Sequence, residues 1–185
     1  MFGHGNKQPA APKQPWALQF LTTDYLISGL AAPDDYMLAG NTIFYEACQN
    51  EGAEAFQLFT LTSVRLEGTG GLTAAPETLP GWNLGLCANL VAVIPNDDPS
   101  RAAAQAAYSD YRQPLAAAFQ VGPYVITGSY LADPGDNGLL FRDEKSLRPI
   151  ADAAIDCLLP GSKLKAWRVP WLLLNARQLH GYRRL

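Results

Sequence analysis

Asp24-Tyr25-Leu26-Ile27-Ser28-Gly29 and Pro123-Tyr124-Val125-Ile126-Thr127-Gly128 are nearly the same phrase written twice in a chain of 185 residues. Tyr, Ile and Gly are identical, and the exchanges of Leu for Val and Ser for Thr keep size and polarity. A phenylalanine precedes each copy at matching distance, Phe20 and Phe119. Apolar and β-branched residues leading to a glycine read as equivalent strands of a small β-domain. Recurrence of the phrase predicts two copies of one small β-unit.

The elements around the phrase recur in order. In the first copy, residues 16–22 alternate loosely and 25–32 form a strand stopped by Pro33-Asp34-Asp35. Residues 42–49 (Thr-Ile-Phe-Tyr-Glu-Ala-Cys-Gln) read as another strand, reversed at Asn50-Glu51-Gly52. Residues 56–67 read as a third, with a bulge at Thr62-Ser63, and 68–81, rich in Gly and Pro, as a loop. Residues 84–94 are almost continuously apolar, the pattern of a strand covered on both faces, and Pro95-Asn96-Asp97 ends it.

One helix is signalled between the copies. Asp98 caps it, Pro99 suits its first turn, residues 101–112 are alanine-rich, and Pro114 limits its far end. Ala104, Ala107, Tyr108 and Tyr111 lie three and four apart on one face. In the second copy, 115–121 and 124–132 are strands and Asp133-Pro-Gly-Asp-Asn-Gly138 is a turn. Residues 147–158 contain Ile150-Ala-Asp-Ala-Ala-Ile155, which corresponds to Leu61-Thr-Ser-Val-Arg-Leu66. Residues 169–179 set Asn175 and Leu179 against Asn89 and Val93. The expected organisation is a flexible arm over 1–15, a first small β-barrel over 16–97, a connecting helix over 98–114 and a second barrel over 115–185. The fold class is all-β with one helix: tandem, duplicated SH3-like or Sm-like small barrels.

The second copy resembles an Sm-like (Lsm) barrel. An N-terminal helix over 99–112 precedes Val125-Ile-Thr-Gly-Ser-Tyr-Leu, which is similar to the first Sm strand. Leu147-Arg-Pro-Ile-Ala-Asp-Ala resembles the later part of the first Sm motif, and Leu174-Asn-Ala-Arg-Gln-Leu-His-Gly the short second motif. The same spacing resembles small bacterial proteins of the pattern strand-Gly, Leu-Thr-Asp-Ala, Val-Asn-x-x-x-Ile. The acidic and asparagine residues that Sm proteins set around an RNA base have no counterpart before Leu147. The first copy lacks the preceding helix and the basic residue near its last strand, where Ala92-Val93-Ile94 stand. The resemblance therefore implies the barrel, and ring-like assembly through strand edges, more strongly than it implies RNA binding.

Composition bounds the alternatives. With 48% hydrophobic and 17% charged residues the chain has the material for a packed core, and Gly 16 with Pro 14 favours turns and short strands. A net charge of −3 gives no global attraction to nucleic acid or anionic membranes. Met1 to Lys7 carries no apolar run of a secretory signal, and residues 84–94 are too few to cross a bilayer. Cys48, Cys87 and Cys157 are odd in number and form no CxxC pair, so buried reduced thiols in a cytoplasmic protein are expected.

Charge is distributed unevenly. No acidic residue follows Asp156, so the last 29 residues carry +6 and the preceding 156 carry −9. Lys163, Lys165, Arg168, Arg177, His180, Arg183 and Arg184, interleaved with Trp167, Trp171 and Tyr182, are the candidate surface for RNA or another single-stranded nucleic acid. The competing expectation is that strand alternation scatters these cations, or that they pair with acids of the other copy.

Other chemistry is weakly signalled. Residues 133–144 imitate a calcium loop at Asp133, Asn137, Gly138 and Glu144, but Gly135 occupies the third ligand position, which favours a plain turn. Gly68-Thr-Gly-Gly71 lacks the Gly-Lys-Ser/Thr of a phosphate loop. The two histidines, His4 and His180, have no fixed nucleophile beside them, and no Cys/His spacing suits zinc. The sequence reading is thus a non-catalytic structural or interaction protein without cofactor, metal or membrane partner, assembling with itself. Nucleic-acid binding through the basic C-terminal residues is the alternative.

Overall fold

The computed structural model describes residues 14–32, 42–58, 60–70, 77–83, 89–111, 113–132 and 147–185. The N-terminal half contributes β1 (Trp16–Thr22), β2 (Tyr25–Ala31), β3 (Thr60–Gly68), β4 (Glu77–Asn83) and β5 (Leu90–Pro95). The C-terminal half contributes β6 (Gln113–Val121), β7 (Tyr124–Ala132), β8 (Leu147–Cys157), β9 (Trp167–Asn175) and β10 (Leu179–Arg184). All ten strands pair antiparallel in one sheet, in the order β10-β6-β7-β8-β9-β5-β1-β2-β3-β4. In each half the last strand lies beside the first, and β9 against β5 joins the halves. Among the described residues the sheet is open, its ladder running from β10 to β4.

The two halves share register as well as order. Leu61 lies opposite Ala31 and Leu66 opposite Ile27, as Ile150 lies opposite Tyr130 and Ile155 opposite Ile126. In both, the strand after the motif bulges opposite the motif glycine, and the bulged residue has positive φ: Ser63 at 51° and Asp152 at 51°. An extra residue in left-handed conformation sharpens the local twist, which bends each half at the same place. A glycine is needed there because the bulge brings β3 and β8 against it. A Cβ on Gly29 would stand 3.1 Å from the Leu61 Cβ, and one on Gly128 would stand 2.8 Å from the Ala151 carbonyl oxygen and from the Ile150 Cγ2. Asp24 and Pro123 also accept matching bonds, from the Thr69 N–H at 2.9 Å and the Leu158 N–H at 2.8 Å.

Two cores lie on opposite faces of the sheet. One gathers Leu18, Phe20, Ile27, Leu61, Val64 and Val93; the other gathers Phe119, Val121, Tyr124, Ile126, Ile150 and Ile155. β5 and β9 feed both, Leu90 and Val93 with Trp171 and Leu173 to one side, Val91 and Ile94 with Leu172 and Leu174 to the other. All six residues of β5 are buried, as residues 84–94 predict for the part that is described.

Several expectations are corrected. Residues 42–49 are not a strand. α1 (Ile43–Glu46) starts there, capped by Thr42, whose hydroxyl accepts the Tyr45 N–H, and continues through a π-helical turn (Ala47–Glu51) and a 3-10 helix (Gly52–Leu58). Ile43, Phe44, Ala47 and Cys48 are buried together, a spacing that only a helix puts on one face. This segment lids the first core through edge-on contacts of Phe44 with Trp16 and Phe56, and of Phe56 with Phe20. The described residues thus hold two short α-helices where one was expected. Part of the expected loop at 68–81 is strand β4. α2 (Asp98–Ala107) is capped by Asp97, one residue earlier than expected, with Pro99 in its first turn. Its Ala104 and the following Tyr108 and Tyr111 pack into the first core, with Ala107 partly buried beside them. Leu179 does not take the place of Val93: it pairs with Val121 as Leu90 pairs with Thr22, and Tyr182 faces Phe119 as Val93 faces Phe20. The arm at 1–13 and the turn at 133–138, with its calcium-like residues, lie outside the described residues.

The glycine contacts set a stability order. Gly128→Ala is expected to lower unfolding free energy by about 2–3 kcal/mol, because a backbone oxygen must move, and Gly29→Ala by less. Denaturant midpoints of the two variants against the native protein check this.

Candidate assembly interface

The basic C-terminal residues are distributed over the β8–β9 connection, β9, the turn after it and β10. Lys163 and Lys165 are in the β8–β9 connection, where the Lys165 ammonium donates to the Cys157 carbonyl. Arg168 is on β9, whereas His180, Arg183 and Arg184 are on β10, with β6, β7 and β8 between those strands. Arg177 ion-pairs with Glu54 of the other half. Trp171 is buried against Tyr108, with ring centroids 6.0 Å apart, so it offers no stacking face; Trp167 is half-buried. Of the three aromatics expected to interleave with the cations, Tyr182 is the exposed one. His180 sits exposed on β10, and the Cys48 and Cys157 thiols are buried. Among the described residues no three His, Cys, Asp or Glu side chains group as metal ligands, and no helix is long and apolar enough to cross a membrane.

What the structure does build is the contact between the halves. Ala92 pairs with Leu174 and Val93 with Leu173. The Asn175 amide donates to the Leu90 carbonyl at 2.9 Å in a buried bond, while its oxygen accepts the Arg177 N–H at 3.2 Å. Tyr124, the motif tyrosine of the second half, is 0% exposed, and its hydroxyl donates to the Thr22 carbonyl at 2.8 Å and meets the Thr69 hydroxyl at 2.8 Å. Both partners belong to the first half. The neighbouring turns also touch, since a Cβ on Gly122 would lie 3.3 Å from the Thr23 methyl. Burial raises the Tyr124 phenol pKa well above its ordinary value, with the hydrogen bond to Thr69 opposing the shift.

The equivalent positions away from the junction are uncovered. Tyr25, the motif tyrosine of the first half, is 51% exposed. β10, placed beside β6 as β5 is beside β1, is exposed at every position except the half-buried Leu179. Its bulge also matches: His180 is passed over in the pairing of β10 as Val91 is in that of β5. Repetition of the tyrosine is legible in the sequence. Its burial in one copy and exposure in the other follows from strand order alone. No family model matches the chain, and no curated protein or solved structure matches it either.

Tyr124→Phe should lower stability by about 1–2 kcal/mol by leaving the Thr22 carbonyl and Thr69 hydroxyl without their shared partner. Because the folded state holds this phenol neutral, its contribution is complete below pH about 10 and is lost as pH rises towards the elevated folded value. Stability should therefore fall less steeply above pH 10 in Tyr124→Phe than in the native protein, as read from denaturation midpoints across that range.

Proposed function

We propose that this is a non-catalytic structural protein, two copies of one Sm-like barrel unit fused in tandem, which assembles with further copies of itself through the outer edges of its sheet. The observation that carries this reading is the contrast between β5 and β10. They hold the same place in their halves, yet β5 is buried throughout and β10 exposed almost throughout. β5 is covered because β9 completes its ladder. The strand in β9's position in the other half is β4, and it is the opposite edge of the sheet. Each chain therefore carries one satisfied junction and the two separated halves of another. An unpaired ladder edge is a ready template for a further strand. A contact between unlike edges is heterologous, so it closes into a ring or grows into a filament according to the rotation between copies.

The glycine-centred bulges at matching positions support the barrel reading, since such bulges curl a sheet. The scattered placement of the basic residues favours assembly over a nucleic-acid surface. Light scattering or native mass spectrometry should find a concentration-dependent species at an integer multiple of 20.0 kDa above the monomer. A protein monomeric up to its solubility limit, its β10 charges serving only to protect the edge, would overturn the reading.

A further inference from the structure

Resting on that self-assembly reading, we infer that β10 of one chain docks antiparallel on β4 of the next in the register of the internal junction, with Tyr25 of the incoming chain as the seam's lock. The register follows from the repeat. Tyr182 holds the place of Val93, since each lies opposite the phenylalanine that precedes its motif. Asn83 holds the place of Leu173: Asn83 directly follows Trp82, the partner of Leu61, and Leu173 directly follows Leu172, the partner of Ile150. The internal pair Val93 with Leu173 therefore becomes Tyr182 with Asn83 across two chains.

The surroundings of the seam agree with this placement. At the internal junction Tyr124 reaches the β1–β2 turn at Thr22 and the residue following β3, Thr69. The corresponding residues of the second half are Val121, which lies opposite Tyr124 before the β6–β7 turn, and Leu158, which follows β8. Tyr25 of the incoming chain would meet those two. Tyr25 at 51%, Leu158 at 55%, Tyr182 at 47% and Leu185 at 65% are four of the five large hydrophobic residues that are exposed among those described. Tyr182 and Leu185 lie on and just after the edge strand β10, and Tyr25 and Leu158 hold the positions equivalent to Tyr124 and Thr69 of the internal junction. Isolated exposed hydrophobics need no explanation, but a set placed by symmetry marks an interaction surface. Charge selects the same pairing. Residues 16–97 hold nine acidic residues against the single Arg65, while β10 carries Arg183 and Arg184. The basic edge is drawn to the acidic half of another chain, and two β10 edges repel each other.

The test uses the full chain with Cys87→Ser, which leaves the buried Cys48 and Cys157. Directly opposed residues of an antiparallel pair have the Cα spacing that a disulfide needs. Under mild oxidation the double variant Asn83→Cys/Tyr182→Cys should give a covalent ladder at multiples of 20.0 kDa, and neither single variant should. Tyr25→Ala, at an exposed position, should weaken self-association by at least ~10-fold without shifting thermal unfolding of the dilute monomer. Arg183→Glu/Arg184→Glu should weaken it as well. A dimer from Tyr182→Cys alone, an intrachain bond in the double variant, or assembly indifferent to Tyr25→Ala would overturn this docking while leaving self-assembly intact. A monomer under all conditions would remove both.

Discussion

Everything in this sheet depends on the ladder between β5 and β9. Two strands far apart in sequence, each apolar on both sides, lie side by side and feed a core above and a core below. A strand buried on both faces needs cover on both and a partner at each edge, because an unpaired buried N–H or C=O costs about as much as a lost hydrogen bond. β5 receives its partners from β1 and β9, and β9 receives its own from β8 and β5. Neither half could keep its inner strand buried without the other. The polar bonds that cross the junction, from Asn175 to Leu90 and from Tyr124 to Thr22, fix the register that apolar packing alone would leave loose.

Part of this was legible in the sequence. The repeated Tyr-x-Ile-x-Gly phrase marks β2 and β7, and the correspondence of Leu61 with Ile150 holds to the residue in the pairing, bulge included. The apolar run ending at Ile94 announces a strand covered on both faces. The failures have physical causes. Ile43, Phe44 and Tyr45 have side chains common in strands, but Thr42 offers a cap and the core beneath selects the helical face. β4 contains Pro80 and Gly81, which disguise it as a loop; at a sheet edge a proline is tolerated because one side of the strand has no ladder. The match of Asn175 to Asn89 followed residue type, whereas the bulges at Val91 and His180 show that backbone register sets the equivalence.

The candidate site was less legible than the fold. Clustering of Arg and Lys after Asp156 is real in the chain, yet the sheet deals those residues to separate strands and a loop. The informative residue was the repeated tyrosine, which one sequence shows only as a framework position. Its two environments, sealed at the junction and open away from it, come from the order of strands that local patterns do not encode.

The junction also shapes how the chain reaches this state. β5 leaves the ribosome well before β9 has been made, so the finished first half must wait with an apolar strand lacking its neighbour. Long-range strand pairing is slow, and exposed ladder edges are where nascent chains misassemble. On a polysome, β9 of one chain and β5 of another can meet as readily as the two within a single molecule. Exchange of whole halves between neighbouring chains is thus the characteristic folding error of this architecture. It yields the same β5–β9 contacts with altered connectivity, in a dimer of twice the chain's mass whose every junction joins halves of different chains.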